Sequence, residues 1–274
     1  MKNIYLNIYR PNFINIKKVK KNVENNNVIG LPTETVYGLA ANAYSDKSVK
    51  KIFKLKKRPA SNPLIIHFKN LKDLKKDAIC NNSFIKLYKT LCPGPITFIL
   101  NKNPKSKISK IAIAGKKTIA VRFPKHKVAR SLLKLLSVPL AAPSANISSK
   151  LSPTCAKDVV DEFGNKVKFI LDGGKCQIGL ESTIVDLTGK PSILRPGSVT
   201  LEKIQKVLKK KIKIKKNAKK VKAPGQFKLH YSPGIPVKLN RKNAKKNQAL
   251  IGFGKKFKVG RNYFNLSKKG NLKE

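Results

Sequence analysis

Tryptophan is absent from this 274-residue chain, methionine occurs once, and only 13 acidic residues stand against 61 Lys and Arg. No apolar run approaches the roughly 18 residues needed for a membrane-crossing helix, so no membrane span is expected. The N-terminus, MKNIYLNIYRPNFINIKK, alternates apolar and polar residues and lacks the uninterrupted apolar segment of a signal peptide. A cytoplasmic location is the expectation. Four cysteines (Cys80, Cys92, Cys155, Cys176) are widely spaced with no CxxC, and the three histidines show no metal-ligand spacing. That argues against a metal site and for buried, reduced thiols. No Walker loop, GxGxxG or GxSxG occurs. A nucleotide site would therefore be of another kind, and nothing points to a serine or cysteine hydrolase.

The shortage of acid leaves a net charge of +48. Contact with nucleic acid is one reading, because Lys and Arg neutralise phosphates. Coding bias is the blander and more economical one: Lys and Asn are abundant everywhere, and the charge is not confined to one tail. Either way, non-specific RNA or DNA binding at low salt is expected. With 41% hydrophobic residues, the chain has enough apolar material for one large domain and a small appendage.

Periodicity predicts a helix over 13–25, with Ile16, Val19 and Val23 on one face. A short strand, Val28 to Leu31, leads into the turn Pro32-Thr33-Glu34-Thr35. Asp46 is expected to cap a helix that Pro59 stops. Strands are expected at Leu64 to Phe68, Ile96 to Leu100, Thr118 to Phe123, Pro139 to Pro143, Val167 to Leu171, Ser182 to Leu187 and Ser192 to Arg195. Helices are expected over 126–136, from Ser152-Pro153 through Phe163, and from Thr200 to about Lys210. Such mixing predicts an α/β protein of the α+β type: a twisted mixed β-sheet flanked by helices. No internal repeat is found. Composition changes near Lys209, giving boundaries of 1–208 for a main domain, 209–236 for a linker and 237–274 for a C-terminal part. That last part has strand-like pieces at Val237 to Leu239 and Ala249 to Phe253, too few for a robust core of its own.

Four segments could carry chemistry. Lys56 and Arg58 stand at a helix end before Ser61, Asn62 and His67; they suit a triphosphate, or are a solvated helix end. Arg122 interrupts an apolar strand and could clamp a carboxylate with two hydrogen bonds, or face solvent. In LAAPSANIS, Pro143 and the Pro139 just before the string bracket mostly small residues, so the backbone can approach a ligand beside Ser144 and Asn146; an ordinary turn reads the same. Ser182, Thr183 and Arg195 could finish a polar pocket or form a surface turn. Glu34 is not assigned as a general base, since a turn role is equally open.

Together these pieces resemble the threonylcarbamoyl-AMP synthases of the YrdC family (Sua-type, long form). The matching strings are PTETVYGL, Lys56-x-Arg58 with SNPL and His67, CPGPITFIL, AVRFP, APSANIS with SPT, DGG, ESTIVD and ILRPG. They span roughly residues 13–207, and HYSPGIPV extends the likeness to about 237. The resemblance implies a YrdC-like fold and condensation of L-threonine, bicarbonate and ATP to threonylcarbamoyl-AMP and pyrophosphate. This is a nucleotidyltransferase reaction, with Mg2+ accompanying the ATP. A separate tRNA-modifying transferase complex would then use the product to make threonylcarbamoyladenosine.

By the same resemblance, Thr35, His67, Arg122, Ala142 and Ser182 would surround threonine. Arg58, Asn62, Thr118, Ser144, Ser152, Arg195 and Tyr231 would contact the nucleotide. Lys56, Arg58, Ser144 and Asn146 match the family's KxR…SxN catalytic set. Tyr231 in the linker would close over the nucleotide as a gate. The C-terminal part is shorter than the fuller α/β domain of long family members. Two rivals remain: a non-catalytic RNA-binding module of the same fold, with direct tRNA contact, and a carbamoyl-transferring maturation factor. The second lacks the required CxxC pairs and length here.

Overall fold

The computed structural model describes residues 5–215, 235–255 and 260–271. In chain order the first half comprises Ile8–Tyr9 (β1), Phe13–Glu24 (α1), Ile29–Leu31 (β2), Gly38–Asn42 (β3), Asp46–Lys56 (α2), Ile65–His67 (β4), Leu71–Leu74 (α3), Asn82–Leu91 (α4), Ile96–Asn101 (β5) and Thr118–Arg122 (β6). Lys127–Leu135 (α5), Leu140–Ala141 (β7), Ala156–Phe163 (α6), Ile170–Leu171 (β8), Thr183–Asp186 (β9), Ser192–Arg195 (β10), Leu201–Leu208 (α7) and Lys213–Ile214 (β11) follow. Leu250–Gly252 (β12) and Tyr263–Asn265 (β13) come last.

Among the described residues, β1 to β11 form one sheet in the order β1-β8-β2-β3-β7-β4-β6-β5-β9-β10-β11. Its pairings are mixed: β4 runs parallel to β6 and antiparallel to β7, while β5 runs antiparallel to β6 and parallel to β9. The expected mixed sheet with helices is what forms. Strand residues alternate between the two faces, and helices bury apolar stripes against them. In α1 the stripe is Ile16, Val19 and Val23, which joins Leu132, Leu133 and Leu136 from the α5 region over β2 and β7. A larger core takes Val49 and Ile52 of α2, Phe84 and Leu87 of α4, Val159 and Val160 of α6 and Ile204 of α7.

Several boundaries differ from expectation. Ser45, not Asp46, caps α2, its side chain accepting from the Ser48 amide at 3.3 Å. Asp46 opens the first turn, where its charge suits the helix N-terminus. Helix α6 begins at Ala156 rather than Ser152-Pro153, because the Asp158 carboxylate accepts from the amides of Thr154 and Cys155 and closes the cap there. The Pro153 carbonyl is instead taken by the Tyr37 amide. Only Cys176 of the four free thiols is buried; Cys80, Cys92 and Cys155 are half-buried. The boundary near Lys209 hides one strand, β11, which pairs parallel with β10.

The chain forms two compact units, divided between Ser232 and Pro233. In the second unit β12 and β13 pair in parallel, Ile251 opposite Phe264. Val237 to Leu239 is exposed and not a strand. Most of the expected linker lies outside the described residues. Among those described, no helix is long and apolar enough to cross a membrane.

Candidate active site

Three strand ends lay the floor of the site. His67 (β4) is in register with Arg122 (β6), and Arg122 with Thr97 (β5). Alternation puts these three on one face in a polar row. One step along the same face lie Ile65, Ala120 and Ile99, part of a small apolar cluster with Ile184 and Leu194. Thr97 Oγ1 pairs with Ser182 Oγ at 2.7 Å, which ties the row to the segment entering β9. Above this floor is a cavity of about 430 Å³, a size suited to small-molecule ligands.

Each wall follows from local sequence. Helix α2 ends as Lys57 turns left-handed at φ 48°, and Pro59 prevents continuation. Arg58 then folds over its own loop, donating to the Asn62 and Pro63 carbonyls and from Nη2 to Asn62 Oδ1 at 2.6 Å. Lys56 is buried (1% exposed) and donates to the carbonyls of Ser144 and Asn146. It thereby clamps the SANIS loop that follows β7. Opposite, Arg195 Nη1 pairs with Glu181 at 2.6 Å, and its Nε and Nη2 donate to the Ser182 carbonyl. In the PTET turn, Thr33 Oγ1 donates to the Val36 carbonyl and contacts the Thr35 hydroxyl.

Burial sets the electrostatics. It pushes Lys56 down to about 7, with Arg58's charge adding to the effect. It lowers Arg58 to about 10, still cationic at neutral pH. It lowers His67 to about 3, helped by Arg122, so the imidazole is neutral. For Glu34, burial pushes the carboxyl up, but Arg122's charge and hydrogen bonds outweigh that and hold it below its usual value. Arg122 and Glu34 form a buried ion pair at 2.8 Å. Arg122 Nε, His67 Nδ1 and Ser148 Oγ are buried without a hydrogen-bond partner. Unmet polar atoms on residues lining one cavity are the mark of a pocket built to be filled.

A family model described as "Sua5_yciO_yrdC: Telomere recombination" matches residues 21–197. The chain belongs to the Sua5/YciO/YrdC family. A second model, "Threonylcarbamoyl-AMP synthase, C-terminal domain", matches residues 199–272. The chain is 45% identical over 220 residues to the threonylcarbamoyl-AMP synthase of Pyrococcus abyssi, covering 77% of this chain and 63% of that protein. It is 38% identical over 233 residues to that of Bacillus subtilis, covering 82% of this chain and 66% of that protein. The crystal structure of P. abyssi Sua5 complexed with L-threonine superposes with a TM-score of 0.79 at 38% identity, covering 90% of this chain and 71% of that one. The chain spans about half to two thirds of the length of the curated relatives it matches first.

On this Sua5/YciO/YrdC framework, the fold brings most of the expected residues to one cavity. Lys56, Arg58, Asn62, Ser144, Asn146 and Arg195 line it, as do Thr35, His67, Arg122, Ala142 and Ser182. Thr118 is not among its lining residues. It shares Arg122's face but sits four residues up β6, about 13 Å away at strand rise, opposite Asn101. Ser152 lines a neighbouring groove and reaches the cavity through a hydrogen bond to Glu181 at 3.3 Å. Tyr231 lies outside the described residues. Sequence reasoning missed Thr97 and Glu181 and left Glu34 without a role. A lone acid or threonine carries no signal until its partner, 85 residues away for Thr97, is placed beside it.

Proposed function

We propose that this chain is an L-threonylcarbamoyladenylate synthase, a nucleotidyltransferase that joins L-threonine, bicarbonate and ATP and releases pyrophosphate. The observation that carries this reading is one cavity with two unlike ends. Arg122 and neutral His67 form an amino-acid corner, while Arg58 and Arg195 bring guanidinium donors to the other, beside the loop that Lys56 clamps. The threonine complex of a 38%-identical Sua5 supports the first assignment.

Arg122 would hold the threonine carboxylate, with Thr35, His67, Ala142 and Ser182 around the rest of the molecule. Arg58, Asn62, Ser144 and Arg195 would receive the nucleotide, with Thr118, Ser152 and Tyr231 as further candidates. The threonine amine adds to bicarbonate with loss of water, giving a carbamate. A carbamate oxygen attacks the α-phosphate, and the bond to pyrophosphate breaks. No protein nucleophile is needed; the protein orients the reactants and stabilises phosphate charge. Burial strengthens both effects by excluding water.

Mg2+ belongs to this scheme as part of the MgATP substrate. Among the described residues no group of three metal-ligating side chains exists. Glu181 and Glu34 are each tied to an arginine. Any Mg2+ would therefore arrive with the nucleotide, where it would supply charge neutralisation at the phosphates. The product is a mixed anhydride, so a tRNA-modifying transferase that consumes it is the partner this chemistry calls for.

The test is a labelled-bicarbonate assay with MgATP and each amino acid in turn. Threonine should give a labelled acyl-adenylate and pyrophosphate; absence of both with every amino acid would overturn the reading. Arg122→Ala should raise the threonine KM by about 100-fold or more, as loss of a charged buried contact does, with the ATP KM changed far less. Equal losses would indicate general destabilisation.

A further inference from the structure

We infer that Glu34 is a positioning residue of the amino-acid corner: it fixes the Arg122 guanidinium for the substrate carboxylate and takes no proton itself. The inference rests on the function proposed above.

Glu34 sits in the turn after β2, and Arg122 closes β6. Glu34 Oε1 accepts from Arg122 Nη2 at 2.8 Å, and Oε2 accepts from the Lys125 amide at 3.0 Å. One carboxylate therefore pins both the guanidinium and the backbone that follows β6. Arg122 lines the cavity, as do Thr33 and Thr35 on either side of Glu34, but Glu34 does not. It supports the arginine from behind.

A base must come within about 3 Å of the proton it removes, and this carboxylate has no approach to the cavity and no uncommitted oxygen. Its electrostatic neighbours are Arg122, His67, His126, Cys92 and Cys176. His67 and both thiols are neutral at working pH, because burial lowers the first to about 3 and raises the thiols to about 12. Arg122 is thus the cation that balances Glu34. A carboxylate held ionised in such a pair is a poor proton acceptor. On Arg122 the pair occupies Nη2, while Nε stays buried and unmatched. A guanidinium held by one carboxylate is pre-oriented to take a second.

The test uses the full chain and three readouts: threonine affinity by calorimetry, ATP affinity by the same method, and kcat against pH. Glu34→Gln should weaken threonine binding about tenfold or more, as breaking a buried charge pair does. ATP affinity should stay within about twofold and the shape of the pH profile should be retained. The charge-balanced Glu34→Gln/Arg122→Gln protein should bind threonine no worse than Arg122→Gln alone, since Glu34 acts through Arg122. That comparison decides the matter even if Glu34→Gln does not fold. Unchanged threonine affinity, equal losses for both ligands, or a collapsed acidic limb of the kcat profile would overturn the inference. A wild-type protein that never binds threonine would instead overturn the functional reading.

Discussion

Lys56 ends α2 with its amino group against the carbonyls of Ser144 and Asn146, and no carboxylate lies within ion-pair distance of it among the described residues. Burial, then Arg58, brings it to about 7. A neutral amine still carries two hydrogens, enough for both carbonyls, so the clamp survives loss of the charge. In the unfolded chain a lysine stays protonated to about pH 10.4. Between these values the unfolded state binds more protons, so this group's contribution to stability rises with pH. Lys56→Met should cost about 2–6 kcal/mol where the amine is neutral, two carbonyls losing a donor at about 1–3 kcal/mol each. Denaturant midpoints for both proteins should converge as pH falls from about 10 towards 7; a constant gap would refute the assignment. Sequence signals were uneven at this scale. Arg122 announced itself as a charge in an apolar strand, and Lys56 as part of a motif. Glu34 read equally well as a turn residue, because its arginine comes from a strand 88 residues away, and Glu181 stood only inside the ESTIVD string, with no role of its own.

Elements with a clean period were legible: α1, α5 and α7, and strands β4, β5, β6, β9 and β10, all appear within a few residues of expectation. Strand β3 was not, because Gly38–Asn42 is buried along nearly its whole length and so lacks alternation. Helix α4 is absent from the expected elements although Phe84, Leu87 and Leu91 form a helical stripe. Val237 to Leu239 alternates but has no partner strand among the described residues. The loop after β10 shows how tightly elements meet. A Cβ at Gly197 would come within 2.5 Å of the Thr183 amide and 2.7 Å of the Glu181 carbonyl, both backbone atoms. Gly197→Ala should therefore push this loop off the β9 entry and cost about 1–3 kcal/mol as overpacking does. Nucleotide affinity should fall with it, since Glu181, Ser182 and Arg195 share that contact. A stable variant with intact ATP binding would contradict this.

The whole molecule carries a charge of +48, and phosphate polymers should feel it regardless of the cavity. RNA binding by the full chain should weaken steeply with salt, linearly on a log–log scale, while threonine-dependent pyrophosphate release continues in the same buffers. Salt-sensitive binding with no turnover would favour the non-catalytic module. Among the described residues the cavity's lining falls between Thr33 and Arg195, so a chain ending at Ser232 should keep wild-type threonine affinity by calorimetry; a loss would assign the second unit a part in binding. The polar row has a further effect during synthesis. His67, Arg122, Thr97 and Ser182 meet only across β4, β6, β5 and the entry to β9, so a nascent chain on the ribosome cannot complete the row until Ser182 has emerged. Under the proposed function, prematurely terminated translation products that lack Ser182 would be inert and would shed no reactive anhydride into their surroundings.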